Sequence, residues 1–404
     1  MSDGAAADSV EGVVERVLFR SEDDAFAVVL VRVDGRDALV KAAGALAEAG
    51  EGEVWRLAGA VEEHPRYGER LVVTTAYPVT PGSVAGLERY LGGGRFPGVG
   101  RKVAETLVAQ FGSKTFDVLA SADKLKIPGL GRKKLAALRA AVREDRMRCE
   151  TLAFLSGLGF GPSTAGRVFQ RFGDRTVAQV REDPYVLADE VRGVGFTLAD
   201  QAASALGVRG DHPSRLRAGV LHVLKQAAEQ GHVAVPVDAA TPRAARLLDV
   251  DVDLCADALR RAEADRRLVI DDAGGDVAYA YLPFLHAAET EAALAVKRLA
   301  ERPALLAPDA PAPVEPPAML SEEQRAAVDL LLRRPLALLT GGPGVGKTTV
   351  LRAFVDAAVA AGAKVELAAP TGRAARRLEE TVGRPARTLH RMLGLLPSDA
   401  GLGR

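Results

Sequence analysis

Cysteine is scarce in this chain of 404 residues: Cys149 and Cys255 stand far apart, with no Cys or His at metal-ligand spacing. This argues against a disulfide framework or a zinc site and fits a reducing compartment. His212, His222, His232 and His286 are too scattered to suggest ligands, and they read as surface or packing residues. Long apolar runs are also missing: nothing approaches the roughly eighteen residues of a membrane-spanning helix. Met1 to Ser9 lacks the charged and apolar regions of a secretory signal. The expectation is a soluble, cytoplasmic protein with no membrane partner, divided by its length into two to four domains.

Charge of either sign is balanced overall, with 53 basic and 53 acidic side chains, but not locally. Residues 1–90 carry 9 basic and 16 acidic residues, 91–148 carry 13 and 5, 149–332 carry 19 and 27, and 333–404 carry 12 and 5. Two basic blocks therefore alternate with two acidic ones, and the basic blocks are where a polyanion would bind. Charge runs are often only solvated faces, so the motifs inside the blocks must decide.

The second basic block contains Gly341-Gly342-Pro343-Gly344-Val345-Gly346-Lys347-Thr348, followed by Thr349, the G-x-x-x-x-G-K-[ST] phosphate-binding pattern. Pro335 to Thr340 is a short apolar run suited to a buried parallel strand. Thr348 to Ala361 has apolar residues at helical spacing. A strand, a glycine turn and a helix N-terminus are what the motif needs, because backbone N–H groups and the helix dipole then cradle phosphates. Lys347 would reach the β- and γ-phosphates of ATP, and the Thr348 hydroxyl would ligate Mg²⁺. Ser321-Glu322-Glu323-Gln324 is a capping box that opens the preceding helix and brings Gln324 near the mouth of the site. Beyond the loop, Val365 to Ala369 reads as a second strand, leading into Pro370-Thr371-Gly372-Arg373 and a basic helix start.

The first basic block contains a repeat. Phe96-Pro-Gly98-Val-Gly100-Arg101-Lys102 and Ile127-Pro-Gly129-Leu-Gly131-Arg132-Lys133-Lys134 match almost residue for residue. Weaker copies follow from Leu155 and Val191. The element resembles the helix-hairpin-helix motif of DNA repair and recombination proteins. Its glycines allow a tight turn that aims backbone N–H groups at a DNA phosphate. Arg101, Lys102, Arg132, Lys133 and Lys134 add charge contacts to the backbone, which read no sequence. The third and fourth copies lack the basic pair and could equally be packing turns.

Five Val-rich runs, Val10–Leu18, Phe26–Val33, Ala38–Ala42, Val54–Val61 and Arg70–Tyr77, fit a small barrel of the OB type. Its acidic character and few aromatics (Phe19, Phe26, Trp55, Tyr67, Tyr77) suit a partner-docking or packing role at least as well as strand binding. Residues 211–285 are mostly helical, with three short strands predicted at Val233–Val237, Leu268–Asp271 and Val277–Leu282, a winged-helix-like pattern. Arg302 to Pro317 contains six prolines and reads as an extended linker.

Together these residues resemble the RecD-like branch of superfamily 1 DNA helicases, in the form with a long N-terminal extension. The resemblance rests on Gln324 as the adenine-contacting glutamine, Gly341 to Thr349 as the nucleotide loop, and Ala369 to Arg377 as the next motif. In that motif Thr371, Gly372 and Arg373 would touch single-stranded DNA. Thr388 to Gly394 resembles the following helix of the family. The resemblance implies a multidomain α/β protein. Its parts would be a flexible N-terminus (1–8), an OB-like barrel (9–80), tandem helix-hairpin-helix elements (86–210), a winged-helix-like domain (211–285), a helix and Pro-rich linker (286–317), and a partial RecA-like P-loop domain (318–404). It also implies ATP-dependent movement 5′ to 3′ on DNA, in recombination or repair, with DNA as the partner and a protein partner at the barrel.

One departure from the family is large. After Lys347 the acidic residues are Asp356, Glu366, Glu379, Glu380 and Asp399, and none follows an apolar strand as the Mg²⁺-holding carboxylate pair of a helicase does. The expectation is an N-terminal portion of a longer helicase that binds DNA and ATP without hydrolysing it. The alternative is a non-catalytic DNA-binding scaffold carrying a nucleotide loop.

Overall fold

A computed structural model describes residues 8–21, 26–33, 35–36, 38–46, 48–64, 68–121, 125–127, 130–272, 274–307, 319–342 and 344–395. The chain forms two compact units, Met1–Leu282 and Pro283–Arg404. Among the described residues no helix is long and apolar enough to cross a membrane.

The first unit opens with five strands: β1 (Asp8–Arg20), β2 (Ala27–Val33), β3 (Val40–Gly44), β4 (Val54–His64) and β5 (Gly68–Pro78). Alternation of buried and half-buried residues along β2 gives the barrel one inward face. β1 pairs with both β2 and β4, and β3 pairs with β5 in parallel, so the sheet closes in the order β1-β2-β3-β5-β4. Val29, Val31, Trp55 and Leu57 fill the interior together with Leu46 and Ala49 from the β3–β4 connection. The barrel matches the sequence expectation; β1, β4 and β5 run a few residues longer than predicted, β2 is one residue shorter, and β3 lies two residues further along. Asp8 already belongs to β1; the rest of the predicted flexible N-terminus, Tyr67 and residues 308–317 of the linker lie outside the described residues.

Eight helices follow: α1 (Val84–Gly92), α2 (Arg101–Phe111), α3 (Thr115–Ser121), α4 (Arg132–Gly157), α5 (Pro162–Phe172), α6 (Thr176–Glu182), α7 (Val186–Glu190) and α8 (Phe196–Ala205). Glycine hairpins join α1 to α2, α3 to α4, α4 to α5 and α7 to α8. The long α4 is thus shared by the second and third hairpins. Single 3₁₀ turns, Gly112–Lys114 and Gly173–Arg175, join α2 to α3 and α5 to α6. In each, the buried Thr115 or Thr176 donates its hydroxyl to Gly112 O or Gly173 O, at 2.6 and 2.7 Å. Gly98, Gly100, Gly112 and Thr115 recur 61 positions later as Gly159, Gly161, Gly173 and Thr176. The repeating unit is therefore a pair of hairpins rather than a single one.

The unit ends with α9 (Pro213–Glu229), β6 (Ala234–Pro236), α10 (Val237–Leu248), α11 (Val252–Ala264), β7 (Val269–Asp271) and β8 (Tyr279–Tyr281). The three helices pack on one another and the strands form an antiparallel sheet in the order β6-β8-β7. This is the predicted winged-helix arrangement, with the connection from β7 to β8 as the wing.

The second unit comprises α12 (Pro283–Ala300), α13 (Glu322–Arg333), α14 (Lys347–Ala360), β9 (Leu367–Ala369), α15 (Gly372–Val382), β10 (Ala386–Thr388) and α16 (Leu389–Leu393). α12 begins three residues before the predicted boundary at 286. β9 and β10 pair in parallel, α14 packs against α13 and α15, and Val328, Leu332, Val350 and Ala357 form the core. Residues 335–340, predicted as a strand, form none. Half-buried Pro335, Ala337 and Leu339 alternate with exposed Leu336, Leu338 and Thr340, as on one side of a strand. Among the described residues, however, nothing pairs with this segment, and a strand without a ladder is not a strand.

Candidate functional site

The phosphate loop is held from below by Gln324. Ser321 caps α13 by accepting from Gln324 N at 3.2 Å, while Gln324 Oε1 accepts from Ser321 N at 3.1 Å, completing the capping box. The remaining amide hydrogens are turned to the loop, where Nε2 donates to Val345 O at 3.2 Å. Gly346 adopts φ +82°, and a Cβ there would lie 2.5 Å from Gln324 Nε2. Both the backbone conformation and this contact require glycine.

Gly346 is also the N-cap of α14, and no side chain caps that end. First-turn N–H groups of a helix have no intrahelical acceptor, so those of Lys347, Thr348 and Thr349 suit an anion. Lys347 folds back over the loop, donating from Nζ to Gly341 O at 2.5 Å and Gly342 O at 2.6 Å. Its ammonium thus lies where a phosphate would bring opposite charge. Thr348 and Thr349 are exposed. A glycine cradle, an uncapped helix end, a loop-centred ammonium and an exposed hydroxyl fit a nucleotide triphosphate and its Mg²⁺. Pro343 lies outside the described residues. Among those described, no cluster of three His, Cys, Asp or Glu could hold a metal ion without such a ligand.

Thr371, Gly372 and Arg373 are exposed at the start of α15, directly after β9. The Thr371 hydroxyl is already engaged as N-cap, accepting from Ala374 N at 3.2 Å. Gly372 and Arg373 remain open on a helix that also carries Arg376 and Arg377.

In the first unit, Gly98, Gly159 and Gly193 adopt φ of +74°, +90° and +84°, which reverses the chain between helices. The residue two positions on, Gly100, Gly161 or Gly195, is the extended N-cap of the next helix, as is Gly131 in the second hairpin. None of these four helix ends has a side-chain cap. Gly129 lies outside the described residues. Arg101, Lys102, Arg132, Lys133 and Lys134 are all exposed just past the turns. Hairpins one and two lie together: a Cβ on Gly98 would meet Lys134 Cδ at 3.3 Å. Hairpins three and four are joined differently. Arg167 donates to Arg192 O, Ser163 Oγ and Thr164 Oγ1 at 2.9 to 3.0 Å, tying the start of α5 to the fourth turn. Sequence reading missed this link, because a lone arginine six residues past a glycine carries no signal of what it reaches.

It also missed the buried charge network that fixes the first hairpin to the barrel. Glu53, next to β4, accepts from Trp55 Nε1 at 2.7 Å and pairs with Arg95 at 2.7 Å and Arg148 at 3.1 Å. Arg95 also reaches Asp145 Oδ1 at 3.0 Å, and Tyr90 donates its hydroxyl to Asp145 Oδ2 at 2.7 Å. Burial alone would raise the Glu53 carboxyl, but Arg148 and Arg95, helped by the Gly50 amide and the Trp55 indole, hold it below the usual carboxylate range. At Asp145 burial wins and pushes the carboxyl up despite Tyr90 and Arg95. His212 caps α9 through Nδ1, accepting from Ser214 N, and His222 stacks on Phe196 at 5.1 Å between ring centroids. Both are packing residues, as expected.

Three family descriptions match: "ATP-dependent DNA helicase YrrC, OB-fold domain" over residues 7–81, "ATP-dependent RecD2 DNA helicase HHH domain" over 144–234, and "AAA domain" over 324–403. The second covers the third and fourth hairpins, not the basic first two. The chain is 33% identical to the "ATP-dependent RecD2 DNA helicase" of Deinococcus radiodurans in an alignment 411 positions long that covers 96% of this chain and 57% of that protein. It is 43% identical over 99 residues to the "RecBCD enzyme subunit RecD" of Mycolicibacterium smegmatis and 40% identical to that of Mycobacterium tuberculosis. Each of these matches covers 19% of this chain, and 18% and 17% of the respective relatives. The chain spans little more than half the length of the Deinococcus radiodurans relative.

Proposed function

Because this chain belongs to the RecD-like superfamily 1 DNA helicases, we propose that its 404 residues supply the DNA-binding and nucleotide-binding parts of an ATP-dependent helicase. We assign it 5′-to-3′ movement in DNA recombination or repair. The observation that carries this reading is the link from Gln324 to Val345 O, which joins the capping box to the phosphate loop in a chain that also presents exposed basic helix starts.

In this reading Gln324 selects adenine, the loop from Gly341 to Thr349 wraps the phosphates, Lys347 exchanges its two carbonyl partners for phosphate oxygens, and Thr348 holds Mg²⁺. Mg-ATP supplies the phosphoanhydride whose cleavage drives movement. Arg101, Lys102, Arg132, Lys133 and Lys134 hold the DNA backbone, and Thr371, Gly372 and Arg373 contact a single strand. The barrel, with its acidic surface, docks a protein partner.

The polypeptide of these residues binds nucleotide without turning it over. Among the described residues, Asp356 lies on α14, Glu379 and Glu380 lie on α15, and Glu366 precedes β9, so none of these four stands at the end of a strand where a Mg²⁺-holding carboxylate is needed; Asp399 lies outside the described residues. ATP hydrolysis measured with and without single-stranded DNA should stay at background, while a fluorescent ATP analogue binds and Lys347→Ala abolishes that binding. A DNA-stimulated rate lost in Lys347→Ala would refute the non-hydrolysing reading. No nucleotide binding at all would refute the site.

A further inference from the structure

The winged-helix unit carries a feature that its fold alone would not suggest. In a helix-turn-helix protein the second helix of the pair enters the DNA groove, so its exposed side must welcome phosphate. Here the corresponding helix is α11, whose exposed residues include Asp253, Asp257 and Glu263 as well as Arg260 and Arg261. Arg260, which lines the cleft beside the wing, is already paired with Asp257. Asp238 at the start of α10 and Asp276 in the wing line the same cleft, and both are exposed. A duplex laid over this cleft would bring its phosphates against the exposed carboxylates of Asp238 and Asp276, with the one arginine of the lining already paired to an acid, which is unfavourable.

Between α11, the start of α10 and the wing lies a cleft of about 410 Å³. Its floor and walls are mostly apolar, from Val237, Ala256, Leu259, Ile270, Val277 and Ala278, and Asp238, Arg260 and Asp276 stand at its edge. Val277 is 43% exposed at the wing. The volume falls within the range of about 300–1,000 Å³ typical of ligand clefts. An apolar cleft with a negative rim is complementary to an apolar anchor flanked by positive charge.

We propose that this cleft docks a protein segment in which lysine or arginine flanks one or two large aliphatic or aromatic residues, and that the winged-helix unit is a protein-binding rather than a DNA-binding module. Apolar side chains of the segment would enter between Val237, Leu259 and Val277, with its cations at Asp238 and Asp276. This inference does not depend on the helicase assignment, since it rests on the charge and shape of one surface.

The test uses the full chain against a displayed library of random 12-residue peptides. A selected peptide, fluorescently labelled, is then titrated by anisotropy alongside a 20-base-pair duplex. Selected sequences should be rich in Lys or Arg beside Leu, Ile, Val or Phe. Their affinity should fall at least tenfold in Asp276→Lys combined with Asp238→Asn, and again in Val277→Asp, with unchanged thermal midpoints. Duplex affinity should stay within twofold in Arg260→Ala. The proposal is overturned if no peptide is selected, or if the selected peptides bind these folded variants as well as the parent. It is equally overturned if Arg260→Ala weakens the duplex tenfold, which would mark the face as a nucleic-acid surface after all.

Discussion

At the scale of single residues, the sites that bind and the sites that hold were not equally visible. Lys347, Gln324 and the hairpin glycines belong to short local patterns that a sequence displays directly. Glu53, Arg95, Asp145 and Arg148 are spread over 96 positions, and no local pattern joins them, yet they form the buried network that seats the first hairpin on the barrel. Replacing Glu53 by Gln leaves two guanidinium groups without their shared counter-charge. A loss of about 3 kcal/mol is expected by denaturant unfolding, the size seen when one partner of a buried pair is removed. The pH dependence follows from the sign of the shifts. The Glu53 carboxyl is held below its ordinary 4.5, so its contribution is complete above that value and disappears as pH falls through the lowered folded value. Asp145 is shifted upward by burial, so its protonation in acid relieves the fold rather than weakening it. Asp145→Asn should therefore cost less than Glu53→Gln at pH 7, and only Glu53→Gln should remove part of the acid-side loss. Cys149, beside the same network, has its thiol pushed up to about 12 by burial and by Asp145. It should resist alkylation in the native state, and rapid labelling at pH 8 would contradict the buried position.

At the scale of elements, the repeated glycine motif predicted four hairpins, and among the described residues the Gly-x-Gly reversal is seen in the first, third and fourth, because such a turn fixes the chain reversal locally. The 61-residue duplication was hidden, since it rests on Gly112 and Gly173 with their threonines, which look like ordinary helix ends in sequence. The run at 335–340 shows the opposite failure. Its composition suits a strand, but a ladder needs a partner that no property of the run itself supplies. The hairpins support two expected outcomes. Gly98→Ala forces a side chain into the left-handed region and toward the Lys134 stem, so it should cost about 1–2 kcal/mol in thermal or denaturant unfolding. Arg101, Lys102, Arg132, Lys133 and Lys134 replaced by Ala should weaken duplex binding at low salt. The slope of log affinity against log salt should flatten by about one for each phosphate that is no longer neutralised. An unchanged slope in the folded variant would make the first two hairpins packing turns and leave binding to the second pair, which the family match covers.

At the scale of the whole molecule, the division of labour follows the charge blocks and the two compact units. The first unit, to Leu282, holds barrel, hairpins and winged helix, and the basic residues that suit DNA are in its hairpins. The second, from Pro283, holds the nucleotide loop. Domain-scale changes in strand spacing, glycine motifs and proline content are coarse signals that a sequence carries without knowledge of which residues touch. The stability of each part was not legible, because it depends on what covers each apolar face. The first unit closes its barrel on itself and stitches barrel to hairpins with buried charge. The second has a two-stranded sheet among its described residues and leaves Leu338 90% exposed beside the phosphate loop. A small core with an uncovered apolar residue should open first. A ligand that binds only the folded loop should correct this. At a hundredfold excess over its dissociation constant, Mg-ATP should add about 2.7 kcal/mol to the unit that binds it. Hydrogen exchange on the full chain separates the two units within one sample. Without nucleotide, amides in α13, α14 and α15 should exchange faster than those in α4 and α9. With Mg-ATP the first group should slow while α4 and α9 stay unchanged, and Lys347→Ala should erase the difference. Uniform slowing over both units would mean that nucleotide binding is coupled to the first unit, and that the two do not behave as independent bodies.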